Sequence, residues 1–360
     1  MENKGLLFIP DISGFTRFVN ETDIGHSRLI IQELLELLIN ANEIGLEVSE
    51  IEGDAILFYK FGQSPGMEAL YKQVEKMFCA FHRHLAVYDH YRFCQCKACT
   101  AAIHLTLKVI THYGEFTSYN VKSFNKLIGR DIIIAHQLLK NDIEQHEYWL
   151  VTKNMVPGGQ PGDFKDWMIW NNSDRQTESG RIPFLYTQLS ELKNEIEPEL
   201  LQQPELSKQT KMISITDEYE TDIITLFHAT GDFNNRHRWQ EGVLAVEEVS
   251  HFLPRVGMRC RCIKENGQAS IYSSSYSYTP EKIGFSETDE EEKHITYYTL
   301  EKKGDDKTKL TVDFYIKKNI ISQILFKLSN KKKIEDRFHK SLLNLHTFIK
   351  EFKLANQAAV

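Results

Sequence analysis

The sequence predicts a protein of the α+β class with two domains, and three observations support this prediction. Two apolar runs, residues 6–16 (LLFIPDISGFT) and 50–59 (EIEGDAILFY), have strand character and flank a segment with helical spacing of apolar residues. Toward the C-terminus, alternating segments separated by turns precede a long amphipathic stretch, which predicts an antiparallel sheet and a final helix. The length of 360 residues favours about two domains.

The composition is typical of a globular protein and argues against several other classes. Hydrophobic residues make up 41% and charged residues 26% of the chain. The formal net charge of −7 argues against a nucleic-acid partner, because nucleic-acid binders usually carry a basic face. No run reaches eighteen apolar residues, and the first residues, MENKGLLFIPD, lack the apolar stretch of a secretory signal. We therefore expect a cytoplasmic protein.

The first domain is predicted to span residues 1–188. Apolar residues recur at helical spacing in residues 23–44 and 67–90, which predicts two helices after the first and second strand runs. Further strands are predicted at residues 103–112 and 147–152. This order alternates strands with helices.

A polar and acidic segment with two prolines, residues 189–210, predicts a linker between the domains. The second domain, residues 211–355, is predicted to begin with a strand and a short helix and to end with a helical segment over residues 320–352. Between them lie alternating segments that predict an antiparallel meander, at residues 258–264, 269–278, 282–288, 294–302 and 308–317.

Two aspartates give the strongest chemical signal in the sequence. Asp11 and Asp54 each belong to an apolar strand run beside a small residue, so two neighbouring strands are expected to present two carboxylates. One or two carboxylates, completed by water and substrate phosphates, suit magnesium. The alternative is that each aspartate only caps a turn at the end of its strand.

These strings resemble the metal-binding half of class III adenylate and guanylate cyclases, which have a pattern of roughly F-x-D-I-x-G-F-T followed by G-D. DISGFT lies at residues 11–16 and EGDA at residues 52–55. The resemblance implies a ferredoxin-like cyclase-type domain that dimerises and binds ATP or GTP. It implies Mg or Mn ligation by Asp11 and Asp54, assisted by the Ile12 carbonyl, with Glu50 reading the purine. The chain also resembles the uncharacterised bacterial DUF2652 proteins.

The resemblance weakens at residues 125–141 (NKLIGRDIIIAHQLLKN), where the cyclase families keep an asparagine and an arginine supplied by the partner subunit. Ile133 and Gln137 fall at those positions, and Lys126 falls at the second base-reading position. Isoleucine cannot orient a ribose, and glutamine carries no charge. Loss of one transition-state donor typically costs about 10²- to 10³-fold in rate. No catalytic residue is therefore assigned here.

We accordingly expect a degenerate cyclase-like domain that binds nucleotide or metal and regulates, without efficient turnover. Two routes to activity stay open: a heteromeric partner supplies the missing groups, or Arg130 and Lys126 reach the phosphates from displaced positions. The main alternative is a working nucleotidyl cyclase with two magnesium ions on Asp11 and Asp54.

A cysteine cluster is a second candidate metal site. Cys94, Cys96 and Cys99 have the spacing C-x-C-x-x-C, and three thiolates suit zinc. The expected fourth ligand is His84, His90, His104 or Asp89. Against this, half of a zinc site is common by chance, and cytosolic thiols need no metal. Six cysteines in 360 residues are too few for a disulfide scaffold. Cys260 and Cys262 alternate along a predicted strand, so both are expected to pack on one side as small apolar groups.

The element order of the second domain resembles the helix-grip fold of the START-like (SRPBCC) superfamily, which includes polyketide cyclase and lipid-transfer relatives. The string R-W-x-x-G-V at residues 238–243 fits this resemblance. It implies a cavity for an apolar small molecule or lipid between the sheet and the long helix. The candidate lining residues are Trp239, Tyr276, Tyr298 and Phe314. A further alternative is that the protein carries such a ligand and the first domain only dimerises.

Overall fold

A computed structural model describes residues 3–22, 24–177, 180–197, 205–247, 249, 253–265 and 267–357. The chain divides into two compact units. The first unit comprises Met1–His90 and Gln95–Glu199, and the second comprises Tyr91–Cys94 and Leu200–Val360. Part of the expected linker, residues 198–204, lies outside the described residues. No helix in the described ranges is long and apolar enough to cross a membrane.

The first unit combines a large mixed sheet with five helices among its described residues. Its helices are α1 (Phe15–Glu21), α2 (Ile24–Asn40), α3 (Met67–Tyr91), α4 (Lys97–Ala101) and α5 (Arg130–Leu138). Its strands are β1 (Lys4–Ser13), β2 (Glu47–Glu52), β3 (Ala55–Phe61), β4 (Thr106–Glu115), β5 (Thr117–Val121), β6 (Phe124–Ile128), β7 (Tyr148–Thr152), β8 (Asn171–Thr177) and β9 (Gly180–Gln188).

Strand β1 lies in the interior of the sheet, which has the order β2-β3-β1-β4-β7-β9-β8 over the described residues. Strands β4 and β7 are parallel, and the other neighbours are antiparallel. Alternate residues of a strand point to opposite faces. Leu7 and Ile9 accordingly join one core cluster with Ala135 and Leu138 of α5. Leu6 and Phe8 are also fully buried, so β1 is covered on both faces, as its apolar sequence predicts.

The α+β class is confirmed, but one predicted element is wrong. Residues 50–59 do not form a single strand, because β2 and β3 make a hairpin whose turn is Gly53 and Asp54. Gly53 has a φ of 63°, a left-handed conformation that glycine adopts without steric cost. Asp54 therefore lies at the tip of a turn rather than on a strand. Gly14, with a φ of 89°, makes the corresponding left-handed break between β1 and α1.

The second unit is an antiparallel sheet with helices that follow its first strand and close the chain. Its described strands are β10 (Gln209–Tyr219), β11 (Ala245–Glu247), β12 (Arg259–Lys264), β13 (Gly267–Thr279), β14 (Lys282–Asp289), β15 (His294–Gly304) and β16 (Lys307–Lys317). Its described helices are α6 (Ile223–Gly231), α7 (Arg236–Trp239), α8 (Ile320–Ser329) and α9 (Lys331–Gln357).

The sheet of the second unit has the order β10-β16-β15-β14-β13-β12-β11 over the described residues, with antiparallel neighbours. The predicted meander is confirmed, whereas the closing helix is two helices, α8 and α9. Cys260 and Cys262 are both buried and face the same cluster, as alternation predicts. The element order agrees with the expected one, and the assignment to the helix-grip fold stays a prediction.

Gly114 marks a close approach between β4 and α5. A Cβ added to Gly114 would lie 2.2 Å from Cγ of Asp131, whose carboxylate accepts a hydrogen bond from the Glu115 amide at 2.6 Å. We expect Gly114→Ala to lower the free energy of unfolding by about 1–3 kcal/mol, as other overpacked substitutions do. Urea titration measures this change. Gly158→Ala, where an added Cβ has no neighbour within 4 Å, is the control and should be close to neutral.

Candidate metal and nucleotide site

Backbone pairing brings Asp11 and Asp54 together. On β1, Asp11 pairs with Ala55 of β3 on one side and with Lys108 of β4 on the other. The Ile12 amide donates a hydrogen bond to the Asp54 carbonyl at 3.0 Å, which joins the hairpin turn to β1. The predicted meeting of the two carboxylates therefore occurs between a strand and a turn.

A cavity of about 860 Å³ opens in front of the two aspartates. This volume is in the range of small-molecule sites, about 300–1,000 Å³. Both apolar and ionisable side chains contribute to it. The lining residues are Asp11, Ser13, Gly14, Phe15, Thr16, Arg17, Glu52, Asp54, Ala55, Lys108, Ile132, Ile133, His136, Gln137, Leu139, Lys140 and His146.

The two carboxylates are held in an unfavourable electrostatic environment. Burial raises the pKa of Asp11, although the nearby Lys108 ammonium opposes this shift. Burial, and then the charge of Asp11, raise the pKa of Asp54 to about 6. A carboxylate that only caps a turn accepts backbone hydrogen bonds that normally lower its pKa. Burial is the main cause of both raised pKa values, and the like charge of Asp11 adds to the upward shift in the pKa of Asp54, which a backbone hydrogen bond only partly offsets.

Lysine side chains supply positive charge to the same cavity. The Lys108 Nζ lies 3.4 Å from Oδ1 of Asp11 and donates a hydrogen bond to the Leu139 carbonyl at 3.3 Å. Lys140 and Arg17 also line the cavity. Two carboxylates with adjacent cations form a donor set that fits one divalent ion and a phosphate group. Lys108 competes with the ion for Asp11, so an ion has to displace its ammonium from that oxygen.

The residues at the family's transition-state positions face this cavity as well. Ile133 and Gln137 lie on α5, and both line the cavity that contains Asp11 and Asp54 of the same chain. The side chain of Ile133 is 55% exposed. Oε1 of Gln137 is buried without a hydrogen-bond partner in the part of the chain that the structure describes. The resemblance implied that this position acts from a partner subunit, whereas here it faces the chain's own aspartates.

The expected nucleotide-reading residues form a separate ion-pair cluster. Lys126 on β6 forms a salt bridge with Glu50 on β2. His136, for which the sequence predicted no role, lies 3.9 Å from Glu50 and 3.7 Å from Glu52. Glu52 and His136 line the 860 Å³ cavity, whereas Glu50, Lys126 and Arg130 are not among its lining residues. Lys126 therefore neutralises Glu50 instead of standing free to read a base.

The predicted cysteine cluster acquires a histidine from another helix. Nδ1 of His26, on α2, lies 3.4 Å from Sγ of Cys96 and 3.3 Å from Sγ of Cys99. His26 was not among the candidate fourth ligands, because seventy residues separate it from Cys96. The packing of α2 against α4 brings these residues together.

In the second unit, a cavity of about 280 Å³ contains one of the four predicted lining residues, Phe314. Trp239 and Tyr298 are buried in the core, and the Tyr276 hydroxyl donates a hydrogen bond to the Phe93 carbonyl at 2.9 Å. An apolar lining was expected, but this cavity also has polar and charged lining residues. Its charged and ionisable lining residues are Lys264, Glu287, Asp289, His294 and Arg337.

A buried ion pair occupies the interior beside this cavity. Arg236 on α7 is fully buried and forms a two-point salt bridge with Glu287 on β14, in which Nη1 donates to Oε2 at 2.9 Å. The guanidinium also donates to the Tyr298 hydroxyl at 3.2 Å and lies over the Trp239 ring, 5.0 Å from its centroid. The two aromatic residues expected in an apolar cavity therefore surround a cation.

The comparisons with known proteins match parts of the chain. Residues 31–148 match a family described as a protein of unknown function, DUF2652, so the predicted resemblance to that family is confirmed over this range. The uncharacterized protein Rv2561/Rv2562 of Mycobacterium tuberculosis is 32% identical over 122 residues, or 33% of this chain. The match spans 56% of the length of that relative.

Solved structures similar to this chain include two nucleotidyl cyclases. The catalytic core of a rhodopsin-guanylyl cyclase has a TM-score of 0.39 and 11% identity over 52% of this chain and 96% of that one. The adenylyl cyclase CyaB of P. aeruginosa has a TM-score of 0.38 and 17% identity over 52% of this chain and 93% of that one.

The raised pKa of Asp54 predicts how stability depends on pH. Between its ordinary pKa of 3.8 and about 6, the folded state keeps a proton that the unfolded state has released, so stability falls as pH rises. At pH values well above 6, we expect Asp54→Asn to have a higher melting temperature than the parent protein. This gain should vanish as the pH falls toward 3.8. Scanning calorimetry across pH measures it. The exposed Asp166→Asn is the control, and an equal gain at every pH would contradict this origin.

Replacing one partner of the buried ion pair should destabilise the protein more than replacing both. Arg236→Met leaves Glu287 buried without its counter-charge and should cost about 3–5 kcal/mol. The double variant Arg236→Met/Glu287→Leu should regain most of this loss. Trp239 is the one tryptophan of the second unit and allows urea unfolding to be followed by fluorescence. Arg238→Met is the control, because its partly exposed salt bridge with Glu351 should contribute less than about 1 kcal/mol.

Proposed function

We propose that the first unit binds a nucleoside triphosphate together with a divalent cation and acts as a regulatory module without efficient turnover. The observation that carries this proposal is the single cavity that holds Asp11, Asp54 and Lys108. Two carboxylates of raised pKa gain most from a cation, because an ion supplies the counter-charge that they lack.

In this proposal the aspartates bind the cation, which is Mg or Mn, and the cavity lysines contact the phosphates. A bound divalent ion neutralises phosphate charge. The Lys108 ammonium leaves Asp11 for a phosphate oxygen when the cation binds, and Lys140, in the bend that follows α5, lines the same cavity. Ammonium groups bind phosphate as point charges, so neither lysine needs a particular orientation.

The same cavity supports the absence of efficient cyclisation. Catalysis of phosphoryl chemistry depends on charge stabilisation and alignment. At the two family positions, Ile133 offers no polar group, and Gln137 offers an uncharged amide. The lysines contribute to binding in both the ground state and the transition state, and uniform binding of this kind does not raise the turnover rate.

We also propose that the first unit associates into homodimers through an apolar surface. The hairpin of β5 and β6 exposes large apolar side chains, and the neighbouring β2 adds more. These residues are Val48, Ile51, Tyr119, Val121, Phe124 and Ile128, of which Phe124 is 67% exposed. Apolar side chains concentrated in this way mark association surfaces. Binding of an apolar ligand or lipid by the second unit stays a prediction of the resemblance.

Calorimetric titration of the full chain with ATP and GTP in the presence of Mn tests the nucleotide proposal. We expect binding of at least one nucleotide, weakened about tenfold or more, or 1.4 kcal/mol, by Asp11→Asn and by Asp54→Asn. Affinity should rise as pH increases through about 6, because the cation binds the ionised carboxylates. Asp166→Asn is the matched control and should bind as the parent does.

Chromatography of the same mixtures for cyclic nucleotide separates the two functional alternatives. The regulatory proposal expects binding without product. Product that disappears in both Asp11→Ala and Asp54→Ala would identify a working cyclase instead. Equal nucleotide binding in the parent and in both asparagine variants would overturn the assignment of the site.

A further inference from the structure

We propose that the first unit holds a zinc ion through His26, Cys96 and Cys99. The ligands come from two segments far apart in sequence, α2 and the turn that enters α4. This site is separate from the aspartate cavity, and it does not depend on the proposed nucleotide function.

The donor geometry fits a tetrahedral ion. With Zn–N near 2.05 Å and Zn–S near 2.3 Å, a tetrahedral site separates nitrogen from sulfur by about 3.6 Å. The His26 Nδ1 lies 3.4 Å from the Cys96 sulfur and 3.3 Å from the Cys99 sulfur. The three ligand atoms lie within 4.8 Å of one another. One nitrogen equidistant from two sulfurs is the arrangement that a shared central ion requires.

The cysteine side of the site has the features of a metal-binding turn. The amide of Cys99 donates a hydrogen bond to Sγ of Cys96 at 3.5 Å. Hydrogen bonds of this kind orient a ligand and stabilise negative charge on its sulfur. Cys99 is fully buried, whereas Cys96 and His26 are half-buried, so an ion can enter but is then shielded. All six cysteines are described, and each is a thiol rather than part of a disulfide.

The site would fix the start of α2 to α4. Helix α2 follows α1 and Gly14, the segment whose residues Gly14 to Arg17 line the aspartate cavity. Helix α4 is only five residues long and is too short to be stable alone. A zinc ion would supply the energy that such a short element lacks, since metal binding adds directly to folding stability.

Metal analysis of the full chain, purified under reducing conditions without added chelator, tests the proposal. We expect one zinc per chain. Zinc binding should weaken more than about 100-fold in Cys96→Ser, Cys99→Ser and His26→Ala, because loss of a residue that only contacts a ligand typically weakens metal binding by about 10- to 100-fold. Cys79→Ser, which removes a half-buried thiol from α3, is the matched control and should keep its zinc. Folded protein that neither contains nor takes up zinc would overturn the proposal.

Cobalt substitution of the parent protein keeps the test independent of whether a variant folds. Cobalt bound at this site should give a sulfur-to-metal charge-transfer band of an intensity expected for two thiolates, with the visible spectrum of a tetrahedral ion. The band should lose about half of its intensity in Cys96→Ser, since each thiolate contributes to it. An unchanged band in Cys96→Ser would overturn the assignment of Cys96, and an octahedral spectrum would overturn the site.

Discussion

The pairing of β1 with β3 on one edge and β4 on the other is the constraint on which the first unit depends. It buries an apolar strand on both faces and fixes the register that sets Asp11 against Lys108. The hydrogen bond from the Ile12 amide to the Asp54 carbonyl then joins the hairpin turn to the same point. Backbone hydrogen bonds, rather than side-chain contacts, therefore bring the candidate ligands together. The sheet holds Asp11 rigidly, and the bond from the Ile12 amide restrains the turn that carries Asp54.

The electrostatics of that site oppose folding and favour ligand binding. Structural ion pairs usually lower the pKa of a carboxylate, whereas Asp11 and Asp54 both shift upward despite the ammonium of Lys108. Strongly perturbed groups in a cavity are typical of functional sites. The cysteine cluster differs, because its donor atoms lie close to one another on α2 and at the start of the short helix α4. We therefore propose one site for an exchangeable ligand and another for a permanent ion in the first unit.

In the second unit, a buried charge replaces part of the apolar interior expected between a sheet and its helices. Arg236 contacts Glu287 at two points and lies among Trp239 and Tyr298. Removing two charges from water is costly, and the bonds from Arg236 to Glu287, to the Tyr298 hydroxyl and to the Thr230 carbonyl offset much of that cost, although its Nε has no hydrogen-bond partner among the described residues. The pair therefore specifies the position of α7 on the sheet more strongly than apolar packing would. It also explains why the cavity beside it is small and has a polar lining.

The sequence by itself determined the α+β class and most strand and helix positions, because periodicity and local strings report local structure, and it marked Asp11 and Asp54 as candidate ligands. It also indicated the cysteine spacing. Only the tertiary structure decided that residues 50–59 are a hairpin, that His26 faces the cysteines, and that Lys126 neutralises Glu50. These outcomes depend on contacts between segments distant in the chain. Periodicity shows that a residue is buried or exposed, but the identity of its partner is set by how the elements pack.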